Sequence, residues 1–477
     1  MRTVKLLGGV VLGSTALAAA NAFGGGFQIT ELNGRAQGVR NAGAAALAED
    51  LSTVWFNPAG LTRLEGQQID ATGHAFDGSF EFKDTGTMTP IGPGGGPPVP
   101  VQGKTSNDAG EFALIPNFYY SYHLNDRTTL GVGMTSPYGL VTDYDDDWVG
   151  RYHAVRSELL NININPSIGY RINDQWSIGA GVNIAYVDAE LTNAVDVGTI
   201  MTTLLPGPAG ALGLSPGTLE SDGFAKLTGD DWGYGFNLGV LYELTDATRF
   251  GASFRSEIET TVEGELETDL PDRLVNSPLG LALGLEETSK QGGKADLTLP
   301  ATVNLGVYHR LSEQWTLLAG ATWTRWSSFD ELRIELEEGG EIVQPEDWDD
   351  VWRYNIGFEY HHSPLWTFRA GYEYDETPID GIANLTARIP DTDRQFFALG
   401  GSYAPAKNLS IDFAYTRVSG KDYEINETEV ITSQAGALIG DALPPNLSAR
   451  LDGVGTVLRG DYEASADIFT IGLRYRF

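Results

Sequence analysis

The sequence predicts an all-β protein: a transmembrane antiparallel β-barrel of 14 strands with an N-terminal, partly helical plug in the lumen. Three observations predict it. Long segments carry apolar residues at every second position, short and long connections take turns along the chain, and one N-terminal stretch follows neither pattern. A strand points successive side chains to opposite faces, so a period of two marks a surface with one apolar and one polar side.

The chain opens with Arg2 and Lys5, an apolar run from Leu6 to Ala20, and Ala20-Asn21-Ala22, the small-x-small form of a cleavage site. Residues 1–22 therefore read as a signal peptide. The other reading, a membrane anchor, calls for a longer run with less Gly, Ser and Ala. Cleavage removes two basic residues and no acid, taking the formal charge from −33 to −35. A chain this acidic has no basic footprint for nucleic acid. It has no cysteine, so disulfides do not hold it together. No later run of about 18 apolar residues occurs, so a spanning helix is excluded while a spanning barrel stays open.

Residues 23–65 do not alternate. Ala44 to Asp50 favours helix by composition, whereas the Asn57-Pro58 step forces the chain extended and turning. A large barrel encloses a lumen wide enough for water unless something fills it, and a segment of about 40 residues suits that task. A disordered periplasmic tail is the alternative, and the Trp55-Phe56 pair argues against it.

Residues 66–477 read as the barrel. In Asp231 to Leu244, Trp232, Tyr234, Phe236, Leu238, Val240, Tyr242 and Leu244 share one face. At the C-terminus Phe469, Ile471, Leu473, Tyr475 and Phe477 do the same, and similar runs occur at Trp176 to Tyr186, Val303 to His309 and Ile411 to Tyr415. Aromatic residues at the ends of the apolar face, strands of about ten residues or more, and a terminal aromatic favour a membrane barrel over a soluble sandwich. Six short connections fall at Asn125-Asp126, Asn173-Asp174, Thr245-Asp246, Ser312-Glu313, Ser363-Pro364 and Pro405 to Asn408. Seven longer segments lie near 85–108, 141–155, 191–229, 263–293, 338–349, 376–389 and 423–459. Thirteen connections make 14 strands, with both ends on the periplasmic side and the long loops outside.

Two of those loops are unusually apolar. "TIMTTLLPGPAGALGLSP" carries Met201, Leu204 and Leu205, and "LVNSPLGLALGLEE" carries Leu279, Leu281 and Leu283. Together they would form either a groove that captures a greasy ligand or a cap in which they pack on each other. On the third strand Leu130, Val132 and Met134 alternate, then Pro137 and Gly139 interrupt the pattern, both poor choices inside a sheet.

The segment "GGGFQITELNGRAQGVRNAGAAALAEDLSTVWFNPAGL" resembles the hatch of the FadL-type long-chain fatty acid transporters, including the signature Asn57-Pro58-Ala59. The blocks "WGYGFNLGVLYELTDATRFGASFRSEI", "WTRWSSFDELR" and "IPDTDRQFFALGGSYA" extend the likeness through the barrel. The resemblance implies a 14-stranded outer-membrane barrel of a Gram-negative bacterium with a hatch in its lumen. It also implies passive uptake of hydrophobic molecules. Burying each methylene is worth about 0.8 kcal/mol, so graded apolar sites would draw an acyl chain inward without an energy source.

By the same resemblance Phe27 touches a lumen pocket, with Gly24 to Gly26 letting that end move, and Arg333 after "SSFDEL" stands where a carboxylate partner is expected. A second basic residue expected in "ELTNAVDV" is missing, which leaves fatty acids and aromatic or aliphatic hydrocarbons both open; Arg333 would then only balance the lumen's acid. The family's third strand bends inward and opens a gap in the wall. Pro137 and Gly139 thus read either as a lateral gate or as the end of a strand at the outer rim.

"TDYDDDW" reads as a solvated acidic loop touching cation-bridged lipopolysaccharide, in preference to a divalent-cation site. The six histidines show no metal or triad spacing, and no glycine-rich phosphate loop follows a strand. No catalytic residue, metal or cofactor is expected. The expected partners are a hydrophobic small molecule and the lipid and lipopolysaccharide of the outer membrane, met by a monomeric barrel. An open porin is opposed by the plug, and a membrane-embedded hydrolase by the lack of a nucleophile, base and orienter.

Overall fold

The structure is a computed structural model and describes residues 25–92, 96–337, 339–381, 384–431, 435 and 449–477. The expected signal peptide and residues 23 and 24 lie outside them. Fourteen strands form the wall. They are β1 (Gln68–Asp84), β2 (Phe112–Asn125), β3 (Thr128–Thr135 and Gly139–Asp143), β4 (Arg156–Arg171), β5 (Trp176–Val195), β6 (Gly223–Thr245) and β7 (Thr248–Arg255 and Ile258–Asp269). They continue with β8 (Thr288–Leu299 and Thr302–Arg310), β9 (Trp315–Thr324), β10 (Val351–Ser363), β11 (Trp366–Asp375), β12 (Arg394–Ala406), β13 (Leu409–Gly420 and Tyr423–Val430) and β14 (Gly455–Arg476). Each pairs antiparallel with the next. β14 returns to β1 from Gln68↔Arg476 to Asp84↔Gly460, which closes the barrel. The six short connections join β2–β3, β4–β5, β6–β7, β8–β9, β10–β11 and β12–β13 at one end.

The alternation becomes two surfaces. On β6, Trp232, Tyr234, Phe236 and Leu238 are exposed on the outside, while Asn237 is buried in the lumen. Two outward aromatic pairs mark the ends of the apolar band: Trp176 with Tyr242 at 4.4 Å between centroids, and Tyr186 with Trp232 at 5.1 Å. Trp176 and Tyr186 are ten residues apart on β5, about 33 Å along the strand and about 25 Å of height at the usual barrel tilt, the thickness of an outer-membrane apolar band.

Beyond that level the strands continue, against expectation. β5 runs on to Val195 and β6 starts at Gly223, inside the expected 191–229 loop; β7 and β8 likewise reach Asp269 and Thr288, inside 263–293. Above the lipid a strand has no apolar outer face, so its ladder persists without the amphipathic pattern that announces it. The loops proper hold short helices, Val197–Leu204 and Pro206–Ala211 between β5 and β6, and Asp272–Val275 and Pro278–Leu283 between β7 and β8. A hairpin of Glu331–Leu336 and Glu341–Pro345 prolongs β9 and β10 outward.

Residues 25–64 lie inside the barrel as helical turns Gly34–Gly38, Ala44–Leu47 and Thr53–Phe56 followed by the 3-10 turn Pro58–Arg63. Asn33 caps the first, its Oδ1 accepting from the amides of Arg35 and Ala36. None is long enough to be stable alone. Their stability comes from burial against the wall.

Candidate functional site

The hatch is fixed to the wall by its signature and by ion pairs. Asn57 is extended, as the following proline requires. Its Oδ1 accepts from the amide of Ala59 at 3.1 Å, and its Nδ2 donates to the carbonyls of Ala45 at 2.7 Å and of Val240 on β6 at 2.9 Å. Gly239 and Gly179 make this approach possible, because a Cβ on either would overlap Asn57 Oδ1 or the Pro58-Ala59 peptide. Around it, Arg35 binds Glu359 through Nε and Nη2 at 3.0 and 2.9 Å, and Arg369 joins Glu359 at 2.6 Å. Arg40 meets Glu31 at 2.8 Å and Glu373 at 3.0 Å. All of these groups are buried.

Higher in the lumen the hatch meets an interruption in the wall. β3 pairs with β2 from Asn125↔Thr128 up to Phe118↔Met134. Its second piece pairs with β4 alone among the described strands, from Gly139↔Leu160 to Asp143↔Arg156, so β2 residues 112–117 have a ladder partner only in β1. Between the two pieces Pro137 and Tyr138 turn inward, and Tyr138 is buried. The hatch supplies the missing rungs: Ile29 N–H donates to the Pro137 carbonyl at 2.8 Å, and Gly139 N–H donates to the Phe27 carbonyl at 2.9 Å. Pro137 thus loses no rung as a donor, while its carbonyl is used.

Phe27 sits in an aromatic cage of Trp326, Phe329, Trp348 and Tyr138, with ring centroids 4.7, 5.4, 5.8 and 6.2 Å away. The residues before it are tied down, with Gly25 N–H on Asp375 at 2.6 Å and Gly26 N–H on Asp391 at 3.3 Å.

Above Phe27 opens a cavity of about 820 Å³ of unfilled space, part of it open to solvent. Leu140, Leu159, Leu227, Val262, Leu297, Phe329, Leu332 and Ile334 make most of its wall, with Arg388 and Glu346 among its few polar groups. Arg388 Nη2 donates to Asn193 Oδ1 at 3.1 Å, whereas Nη1 is buried without a hydrogen-bond partner among the described residues. Burial lowers the Arg388 pKa, against the pull of Glu429, Glu427 and Glu346. Glu346 is 1% exposed and accepts from Trp348 Nε1 at 3.1 Å. Burial, helped by Glu427, pushes its acid up to about 8. Burial thus favours the neutral form of Glu346 beside the Arg388 guanidinium, a group able to bind a carboxylate, while Glu429 and Glu427 also act on it. A second space, about 800 Å³ of unfilled volume that includes open solvent, shares Leu191, Leu227, Leu332, Ile334 and Arg388 with the first.

The structure redistributes the expected site residues. Phe27 lines the cavity. Arg333 does not. Its neighbours Leu332 and Ile334 face the lumen, so alternation turns Arg333 outward, where it pairs with Glu331 at 2.6 Å and with Glu341. Met201 and Leu204 are buried in a cluster with Leu214, Leu274, Ile431 and Leu451, and Leu205 and Leu279 pack against it. These four residues form the inside of a cap. Leu281 and Leu283 stay exposed, Leu281 at 73%. The acidic loop is paired within the protein, Asp145 and Asp147 with Lys104 at 2.9 and 3.1 Å, and Asp143 with Arg156 at 2.5 Å. Sequence reasoning missed Arg388, Glu346, Tyr138 and Trp348. For Arg388 a signal was present: it is the lone basic residue in the loop 376–389.

The chain and its closed barrel have known counterparts. The family model for the outer membrane protein transport protein family (OMPP1/FadL/TodX) matches residues 15–477. The chain belongs to this family. A long-chain fatty acid transport protein of Escherichia coli O157:H7 is 30% identical over 427 residues, covering 87% of this chain and 92% of the relative. Outer membrane protein P1 of Haemophilus influenzae is 28% identical over 479 residues, covering 97% of each. Among solved structures, a FadL homologue of Pseudomonas aeruginosa superposes with a TM-score of 0.80 at 25% identity, covering 95% of this chain and all of that one. The toluene transporter TbuX of Ralstonia pickettii, at 21% identity and a TM-score of 0.62 over 94% of this chain and all of its own, shares the fold. As a FadL/TodX family member the chain is an outer-membrane channel protein of a Gram-negative bacterium and not an enzyme.

Proposed function

We propose that this FadL-family channel takes up long-chain fatty acids passively, lodging the acyl chain in the cavity above Phe27 with its carboxylate on Arg388. The observation that carries this reading is the pairing of an apolar cavity with a buried guanidinium whose Nη1 lacks a partner among the described residues. A charge-assisted hydrogen bond to that group is worth about 1.5–3 kcal/mol, added to the transfer energy of the buried chain. The name borne by the E. coli relative agrees. Release is lateral in this proposal. The unpaired edge of β2 beside Pro137 and Gly139 gives the ligand a way into the bilayer once Phe27–Ile29, which bond to the β3 side of the opening, withdraw.

A second reading, uptake of aromatic or aliphatic hydrocarbons, draws on the aromatic cage at Phe27, which needs no cation. Competition binding of oleate against toluene and an alkane separates the two. Oleate preference lost in Arg388→Ala supports the fatty acid, and tight hydrocarbon binding indifferent to Arg388 overturns it. For the exit, Pro137→Val and Gly139→Trp are expected to block uptake into vesicles while leaving binding intact. Normal uptake in both removes the lateral route.

A further inference from the structure

Resting on the proposed role of Arg388, we propose that the second cavity is a headgroup site for single-chain amphiphiles with a neutral, hydroxyl-bearing polar end, of the monoacylglycerol type. The two cavities meet at Arg388, and a bare carboxylate bound there does not reach Thr268 and Gln344 in the outer one. Its wall is largely aliphatic but carries Asn193, Thr268, Gln344, Arg388 and Glu429 as well, polar groups that a hydrocarbon tail alone would not meet. Thr268 on β7 and Gln344 on the β9–β10 hairpin both line it, and both present polar groups to the space. Asn193 stands beside them, its Oδ1 taken by Arg388 and its Nδ2 on the Ala194 carbonyl.

An acyl chain seated against these groups would strip their water and return nothing. A head bearing hydroxyls and an ester carbonyl would instead satisfy donor and acceptor together. Its charge follows from the same wall. Arg388 and Glu429 both line the cavity, so a neutral head enters without disturbing the balance between them. The chain of such a ligand would then enter the inner cavity past Leu227 and Ile334, which belong to both.

The test compares 1-monooleoylglycerol with oleate on the full-length protein in detergent, each displacing a radiolabelled partner. Thr268→Val and Gln344→Leu preserve size and remove the polar atoms. Each is expected to weaken monooleoylglycerol about five-fold, the effect of one neutral hydrogen bond, and to leave oleate within about two-fold. Absence of monooleoylglycerol binding, or equal weakening of both ligands, overturns the proposal. The two readings fail separately. Oleate binding without monooleoylglycerol binding removes this site and leaves the fatty-acid reading. Monooleoylglycerol binding sensitive to Thr268 and Gln344, with no oleate binding, removes the fatty-acid reading and leaves the headgroup site.

Discussion

The periplasmic and outer halves of the lumen are lined by the same strands and filled in opposite ways. On β4 the inward face passes from Leu159, which borders the cavity, to Asn161, Asn163, Asn165 and Ser167, polar and buried in the lumen. In the lower half the hatch occupies the space and is held by buried ion pairs and glycine contacts. In the upper half the wall is aliphatic and the space is left open, with Arg388 and Glu346 set into it. Alternation along a strand sets which residues face inward. What the inward residues are is decided level by level, and that second choice separates a plug from a binding chamber.

The largest effect should come from breaking the lower half. Glu359→Gln leaves Arg35 and Arg369 sharing a neutral amide in full burial, a loss of about 3–5 kcal/mol. A lower unfolding temperature and a rise in ion conductance across planar bilayers would report the loosened hatch. Unchanged conductance would mean that glycine contacts and Asn57 suffice to seat it.

Next, Arg388→Ala in the upper half should lower oleate affinity about ten- to a hundred-fold, by the worth of a hydrogen bond to a charged group, without destabilising the barrel. Glu359 differs in that its bonds to Arg35 and Arg369 seat the hatch, whereas Arg388 Nη1 has no hydrogen-bond partner among the described residues.

Titration sharpens this further. Glu346 is neutral below about 8, so raising the pH through that value places an anion beside Arg388 and weakens carboxylate binding, while lowering the pH from 7 leaves Glu346 as it is. Oleate affinity measured from pH 6 to 9.5 should fall across the upper part of the range, and Glu346→Gln should flatten the curve. The smallest effect is expected at Arg333→Ala, whose exposed pairs with Glu331 and Glu341 lie outside both cavities, with oleate affinity within about two-fold of the parent. A large loss there would place the headgroup site on the hairpin's outer face.

Much of this architecture was legible in the sequence because lipid imposes a strict pattern. Trp232 to Leu244 and Phe469 to Phe477 had to alternate, and the short connections had to sit at one end. The strand extensions above the lipid escaped notice since nothing there demands an apolar outer face. The site was harder for a different reason. A shift of one position reverses a strand residue's face, which is the distance between Arg333 and the cavity-lining Leu332 and Ile334. Arg388 sits on a loop between β11 and β12, where no periodicity tells inside from outside.

The bonds from Phe27 and Ile29 to β3 make the start of the hatch a working part of the wall, two rungs of a ladder borrowed from elsewhere in the chain. This bears on how the protein is handled. Gly25 and Gly26 are already fitted against Asp375 and Asp391, so an affinity tag fused next to them is expected to disturb that corner. A tag intended for transport assays belongs in an outer loop, because at the N-terminus it is an alteration of the channel.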